Sequence, residues 1–283
     1  MVAETSPPGQ RARAALAGTR FADVRWVAST GSTNTDAMDL ARDGASEGVV
    51  LVADHQTAGR GRLRRTWQAP PRSSLLVSVL LRPPAVIADV VTMAAGLAMS
   101  EAVDRVAGVD ARLKWPNDLV VDVDGTDRKL AGILAEADWP TGSTISAGYT
   151  APAPTERVAV VVGVGVNVNW PDHVPDELAA TLVSCSRLAG RELDREDLLI
   201  DFLGGFEGRY HRLRAAPGDT AWVRAEWRDR SATLGRRVRV DLGAEEVVGT
   251  AVDVDERGRL VVVTESGEAR TLAAGDVVHL RPI

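Results

Sequence analysis

VAVVVGVGVNVN, residues 158–169, is an apolar run interrupted only by glycine and asparagine. A strand with one wet face alternates apolar and polar residues, whereas a continuous apolar run belongs to a strand covered on both faces. The run therefore predicts a central strand deep in a sheet. Gly163 and Gly165 would let another group approach that strand closely. Asn167 puts an amide in the same apolar setting, where it needs a partner.

Working outward, SLLVSVLL (74–81) and VVLVAD (49–54) read as further buried strands, and VRWVAS (24–29) as another. GSTN (31–34) offers hydroxyl and amide caps for a helix over about 34–43. Val86 to Val106 carries apolar residues at helical spacing without proline, which predicts a long helix packed on the sheet. Asp124-Gly125, between LVVDV and KLAGILAEA, is a hairpin signal. Residues 139–156, rich in Pro, Gly, Ser and Thr, read as a mobile insertion. Helices are expected over about 177–230, with Pro217 opening the last. From Gly235 the pattern changes to short strands broken by Gly and Asp, the mark of a small all-β barrel. The fold class is thus α+β: a mixed sheet packed with helices, followed by a barrel. The expected divisions are a poorly ordered leader with one helical turn (1–22), a main domain (23–230) and the barrel (231–283).

Composition narrows the function. The 283 residues carry a net charge of −6, which argues against a general polyanion binder, because nucleic acid is held largely by arrays of cations on phosphates. One cysteine, Cys185, permits no internal disulfide and favours a reducing compartment. The four histidines form no ligand spacing, so no dedicated metal site is expected. The N-terminal residues lack the apolar core of a secretion signal, and no run approaches the roughly 18 apolar residues of a membrane span. A cytoplasmic protein without nucleic-acid or membrane partners is expected.

The cations are distributed unevenly. Of 33 basic residues only two are lysines, Lys114 and Lys129, and both lie in motif-like segments, KWPND (114–118) and KLAGIL (129–134). An ammonium is a compact point charge where a guanidinium is a wide fork, and tight sites distinguish the two. TAGRGRLRRTW (57–67) sets Arg60, Arg62, Arg64 and Arg65 among Gly59 and Gly61 between two strands. Turned backbone N–H groups and bidentate guanidiniums suit a carboxylate or phosphate. The loop is neither a Walker A sequence nor a dinucleotide fingerprint, since no GK[ST] follows and Arg64 stands where the third glycine would be. KWPND could handle a nucleotide: Lys114 and Asn117 for polar groups, Asp118 for Mg²⁺ or a hydroxyl, the tryptophan for packing.

Taken in order, GSTN, HQTAGRGR (55–62), KWPND, KLAGIL, GVGVNVN (163–169) and the C-terminal barrel resemble the biotin protein ligases over nearly the whole chain. The resemblance implies a catalytic domain like that of class II aminoacyl-tRNA synthetases with an SH3-like barrel. It implies an enzyme that uses ATP and Mg²⁺ to convert biotin to biotinyl-5′-AMP, then passes the biotinyl group to a lysine of the biotin carboxyl carrier domain of an acyl-CoA carboxylase. It further implies that Ser32, Thr33 and Gln56 bind the ureido end, with Asn34 in the same segment and Gly132, Gly163 and Gly165 along the walls. Arg60, Gly61 and Arg62 would close over bound biotin, Arg62 retaining the adenylate, and Lys129 would meet the carboxylate. Arg65, Trp67, Lys114, Asn117, Asp118 and Asn167 fall where the family handles ATP and magnesium. The family loop usually reads GRGRxGR, and Arg64 replaces its last glycine. The N-terminal helix-turn-helix of repressing family members is not expected here. The competing implications are a lipoate-type ligase and a non-catalytic regulator that binds biotin or nucleotide.

Overall fold

The computed structural model describes residues 7–138, 153–171 and 181–280. A seven-stranded sheet is built from β1 (Val24–Val27), β2 (Val50–Ala53), β3 (Ser74–Leu81), β4 (Arg112–Lys114), β5 (Asp118–Val123), β6 (Thr126–Asp138) and β7 (Ala159–Asn167). Their order is β1-β2-β3-β7-β6-β5-β4, with β1 and β2 parallel and every other neighbour antiparallel. The run at 158–169 is the central strand its apolarity predicts, and every residue of β3 beside it is buried. Asp124-Gly125 forms the β5–β6 turn, both residues at positive φ.

Helices cover both faces. On one face α2 (Thr33–Arg42) buries Ala37, Met38 and Ala41 against Leu80 of β3 and Val161 of β7. On the other lie α3 (Val91–Ala107), α5 (Arg195–Ala215) and α6 (Ala221–Asp229), while α4 (Cys185–Ala189) is a short turn of helix. The helix expected from Val86 begins at Val91. Ala85–Ile87 instead form a 3₁₀ turn tied across the chain by the Ala85 N–H to the Glu156 carbonyl (2.8 Å). Pro217 precedes the last helix, for which Thr220 is the N-cap. The insertion lies mostly outside the described residues.

The helical turn expected in the leader is present, but the described part of the leader is packed and not loose. From Gln10 to Ala15 the chain forms a helix, α1, whose Ala12 is fully buried, and Phe21 stacks on Phe206 of α5 with ring centroids 5.5 Å apart. Arg11 pairs with Asp194 and Asp197 at the start of α5. Over residues 7–22 two apolar anchors and a charged clamp hold the segment on the main body.

The C-terminal unit is a five-stranded antiparallel sheet of β8 (Arg237–Asp241), β9 (Glu246–Val254), β10 (Leu260–Thr264), β11 (Ala269–Leu272) and β12 (Asp276–His279), in the order β11-β10-β9-β8-β12. Among the described residues no ladder closes β11 onto β12. The sheet is tied to the main one: the backbone N–H of Trp115 donates to Thr233 Oγ1 (3.0 Å), and its indole N–H donates to the Gly258 carbonyl (3.0 Å).

Candidate active site

The face of the main sheet under α2 carries Ser78 of β3, Gly163 and Gly165 of β7, and Gly132 and Leu134 of β6, in registers that set Ser78 and Leu134 opposite Gly163, and Gly132 opposite Gly165. Glycine is required there because other side chains occupy the space. A Cβ on Gly163 would lie 2.1 Å from Asn34 Oδ1, and one on Gly165 would lie 2.8 Å from the Trp67 indole. The walls named from the sequence are therefore floors on which Asn34 and Trp67 rest. Above them opens a cavity of about 420 Å³. A second cavity of about 480 Å³ shares its Lys114–Asp118 wall and opens toward α3 and the β9–β10 turn.

One end of the first cavity is neutral. Ser32 is the N-cap residue of α2, without the side-chain cap bond expected from its hydroxyl, and is buried with Thr33 and Asn34. The Thr33 N–H donates to Gln56 Oε1 (2.7 Å), which lies 3.0 Å from Thr33 Oγ1. Asn34 Nδ2 donates to the Leu134 carbonyl (3.2 Å) and to Glu136 (2.9 Å), and its Oδ1 lies 2.6 Å from Ser78 Oγ.

The opposite end is cationic. Lys129 reaches the cavity through an irregularity in β6: Leu119 pairs with Ala131 but Val120 pairs with Lys129, so Leu130 is an extra residue. Leu130 and Ala131 both enter the core, and the bulge turns Lys129 to the face of Gly132. Its backbone is held on both sides by Thr181 and Val183. Lys129 Nζ stands 2.7 Å from Asp118 Oδ1 and 5.5 Å from the centre of the Trp67 ring. Lys114, at the end of β4, faces the same cavity.

KWPND is the tight turn between β4 and β5, with a cis bond at Trp115–Pro116. The Asn117 side chain donates to the Ile133 carbonyl (2.6 Å), which fixes the turn on β6. The arginine loop arches over the mouth and is closed by Trp67 N–H donating to the Gly59 carbonyl (2.9 Å). Arg60 pairs with Glu136 (2.7 Å), Arg65 pairs with Asp276, and Arg62 donates to Asn117 Oδ1 (3.3 Å) and the Gly275 carbonyl (3.4 Å). Burial lowers the Arg62 pKa, against the pull of Asp276 and Asp118. Leu63 (φ 54°) and Arg64 (φ 59°) are both left-handed, so the residue that replaces the usual loop glycine keeps a glycine-like backbone.

Of the residues singled out from the sequence, all but Gly59, Arg64 and Asn167 line this cavity. Asn167 lies behind it: its Nδ2 donates to the Lys129 (3.4 Å) and Val183 (3.2 Å) carbonyls. Its buried Oδ1 and the buried Trp67 Nε1 find no partner among the described residues. Such atoms are costly unless a ligand satisfies them. Sequence reasoning missed Ser78, Glu136, Gly275 and Asp276. A serine inside SLLVSVLL was the signal for the first; nothing local marks the others.

A model of the biotin/lipoate A/B protein ligase family matches residues 26–148, and one of the biotin protein ligase C-terminal domain matches residues 233–280. The chain is 38% identical to the biotin–[acetyl-CoA-carboxylase] ligase of Mycobacterium tuberculosis, over 94% of this chain and 92% of that one. It is 32% identical to the bifunctional ligase/repressor BirA of Bacillus subtilis, over 86% of this chain and 70% of that one. Its fold superposes on a biotin protein ligase of Aquifex aeolicus in complex with biotin and ATP, with a TM-score of 0.72 and 26% identity, covering 93% of this chain and all of that one. The cavity, the strands that build it and these likenesses agree: the chain belongs to the biotin protein ligase family.

Proposed function

We propose that the protein is an ATP-dependent ligase that activates biotin as biotinyl-5′-AMP and transfers the biotinyl group to one lysine of the biotin carboxyl carrier domain of an acyl-CoA carboxylase. The observation that carries this reading is the polarity of one cavity, with a hydrogen-bonding floor at one end, Arg62, Arg65, Lys114 and Lys129 at the other, and Arg60 beside the floor, paired with the Glu136 oxygen that also accepts from Asn34. The named relatives support the acceptor class.

In the first step a carboxylate oxygen of biotin attacks the α-phosphorus of ATP and pyrophosphate leaves. Two anions must meet, and one like-charge pair at about 4 Å repels by roughly 4 kcal/mol at an effective dielectric of about 20. Cations placed beforehand offset that penalty without reorganising at the moment of reaction. In this reading Thr33 and Gln56 hold the ureido group beside Ser32, and Asn34 braces them. Lys129 leaves Asp118 for the biotin carboxylate, and Arg65 and Lys114 take phosphate oxygens. The unpartnered Trp67 N–H and Asn167 Oδ1 offer a donor and an acceptor for the nucleotide. Among the described residues no group of three or more His, Cys, Asp or Glu could hold a metal, so Mg²⁺ would arrive with the triphosphate and touch Asp118, supplying further charge neutralisation. In the second step the acceptor amine attacks the acyl carbon and AMP leaves. The mixed anhydride must be kept from water until then, and Arg62, bonded to both the KWPND turn and the C-terminal sheet, holds the loop across the mouth.

No helix among the described residues is long and apolar enough to cross a membrane, and we place the enzyme in the cytoplasm, where ATP and the carrier domain are found. Incubation with ATP, Mg²⁺, biotin and a carrier domain tests the reading. One biotinyl group on one lysine, by intact-mass measurement, is the expected result. Transfer of lipoate in its place would favour a lipoate ligase, and binding without transfer would favour a regulator.

A further inference from the structure

Glu136 joins two parts of the site that have no other side chain in common. Its Oε2 accepts from Asn34 Nδ2 (2.9 Å), in the cavity floor, and from Arg60 Nη2 (2.7 Å), in the arginine loop. Asn34 has no freedom left. It is buried, its Nδ2 also donates to the Leu134 carbonyl (3.2 Å), its Oδ1 accepts from Ser78 Oγ (2.6 Å), and it packs on Gly163 where no Cβ would fit. It therefore moves only with the first turn of α2, next to Thr33. Arg60 is the opposite case, with a side chain 45% exposed. It stands at the neck of the loop, which folds back as a small hairpin: Arg60 bridges Thr66, the Trp67 N–H donates to the Gly59 carbonyl, and the Gly61 N–H donates to the Arg65 carbonyl (2.7 Å).

The hairpin overhangs β6 beyond Gly132, where the pairing with β5 has ended and the pairing with β7 continues. Residues 58–66 enclose a space there with Leu134 and Glu136. The far end of the hairpin rests on the C-terminal sheet, Arg62 on Gly275 and Arg65 on Asp276. The Arg60–Glu136 pair at the neck thus sets the angle at which the loop crosses the mouth. A ligand that pins Thr33 and Gln56 steadies the first turn of α2, Asn34 with it, and so the oxygen on which Arg60 must close. Ordering that oxygen beforehand lowers the entropy lost when the loop pairs with it. We propose that Glu136 is a positioning residue that couples filling of the cavity floor to closure of the arginine loop, by serving as a common acceptor for Asn34 and Arg60. This deepens the ligase reading and rests on it. Glu136 touches neither substrate in this scheme, and the signal starts from the ureido group without needing the biotin carboxylate.

The loop carries four arginines, Arg60, Arg62, Arg64 and Arg65, so trypsin cuts it when it opens. The rate of those cuts on the whole protein, read by mass spectrometry, measures closure. Saturating biotin should slow them about tenfold or more in the wild-type protein, the scale of one hydrogen bond to a charged group. Biotinol, which keeps the ureido ring and carries an alcohol in place of the carboxylate, should protect to within about threefold of biotin. Glu136→Leu keeps bulk and removes the acceptor, and biotin should then slow the cuts by less than about twofold. Coupling is reciprocal, so in ATP–pyrophosphate exchange this variant should show a KM for biotin raised about three- to tenfold, with KM for ATP within about twofold. Glu136→Gln keeps an oxygen within reach of both donors and should recover about fivefold protection or more. Combining Arg60→Ala with Glu136→Leu should raise KM for biotin no further than the worse single variant, because both break one contact. Undiminished protection in Glu136→Leu, protection by biotin but none by saturating biotinol, no recovery in Glu136→Gln, an equal rise in both KM values, or additive losses would each overturn the proposal while leaving the ligase reading intact. A wild-type protein that bound no biotin in calorimetry would overturn that reading, and this proposal with it.

Discussion

The two ends of the cavity are built on opposite plans. At the neutral end nearly every polar atom has a partner in the protein, most of them on α2, β3 and β6, with Gln56 from the loop after β2. At the cationic end the charges are held by the protein's own carboxylates, Arg65 by Asp276 and Lys129 by Asp118, and Arg60 is held by Glu136 beside Asn34. In the proposed reading a substrate carboxylate or phosphate takes the place of Asp276 and Asp118. The first end is a mould fixed before anything binds; the second is a set of cations that must exchange partners. Partly exposed ion pairs are worth only about 0–1 kcal/mol each, so the exchange costs little.

Lys129→Ala tests this contrast most severely. It should lower adenylate formation about 10² to 10³-fold, the loss expected for one charge-stabilising donor, while leaving the fold intact. Pyrophosphate release by the folded variant measures it, and near-normal turnover would end the distinction. Gly163→Ala attacks the other end, since its Cβ would displace the Asn34 carboxamide. Overpacking of this kind costs about 1–3 kcal/mol, and KM for biotin should rise about tenfold or more with KM for ATP little changed. An equal effect on both substrates would show that the two ends are not independent.

Arg62→Gly should leave activation measurable and let the adenylate escape. Biotin would then appear on bystander lysines, as a blot of mixed proteins would show; an unchanged pattern would remove Arg62 from the mouth. Arg64→Gly should stabilise the fold by about 1 kcal/mol, since a left-handed backbone costs an ordinary residue about that much, and thermal unfolding would read it. The last expectation concerns pH. Burial lowers the His279 pKa below its usual 6.5 despite the pull of Asp127. The folded protein therefore binds this proton less readily than the unfolded chain does. The stability that neutral His279 contributes is present above about pH 6.5 and lost as pH falls through the folded value. His279→Gln should flatten that part of the acid slope in Tm against pH.

Much of the frame was legible because burial on two faces leaves a plain signature: β3 and β7 are the two most apolar runs and lie side by side. The site residues were legible through their types at short spacing, two lone lysines and a glycine-arginine loop. What stayed hidden depends on contacts across the chain. The bulge at Leu130 reads as ordinary alternation until β5 supplies the register. Glu136 and Asp276 resemble any surface carboxylate until Arg60 and Arg65 are seen against them. The docked N-terminal helix depended on Phe206 and α5, nearly two hundred residues away.

The placement of both lysines inside the cavity has a further consequence. An acyl phosphate that drifts out of the mouth acylates any neutral primary amine it meets, and the first surface in its path is the enzyme's own. That surface displays guanidiniums, which remain protonated and do not react as nucleophiles under cellular conditions. A protein that makes an indiscriminate reagent is thereby spared self-labelling, and every side-chain amine it could spoil is one it already uses to handle the reagent.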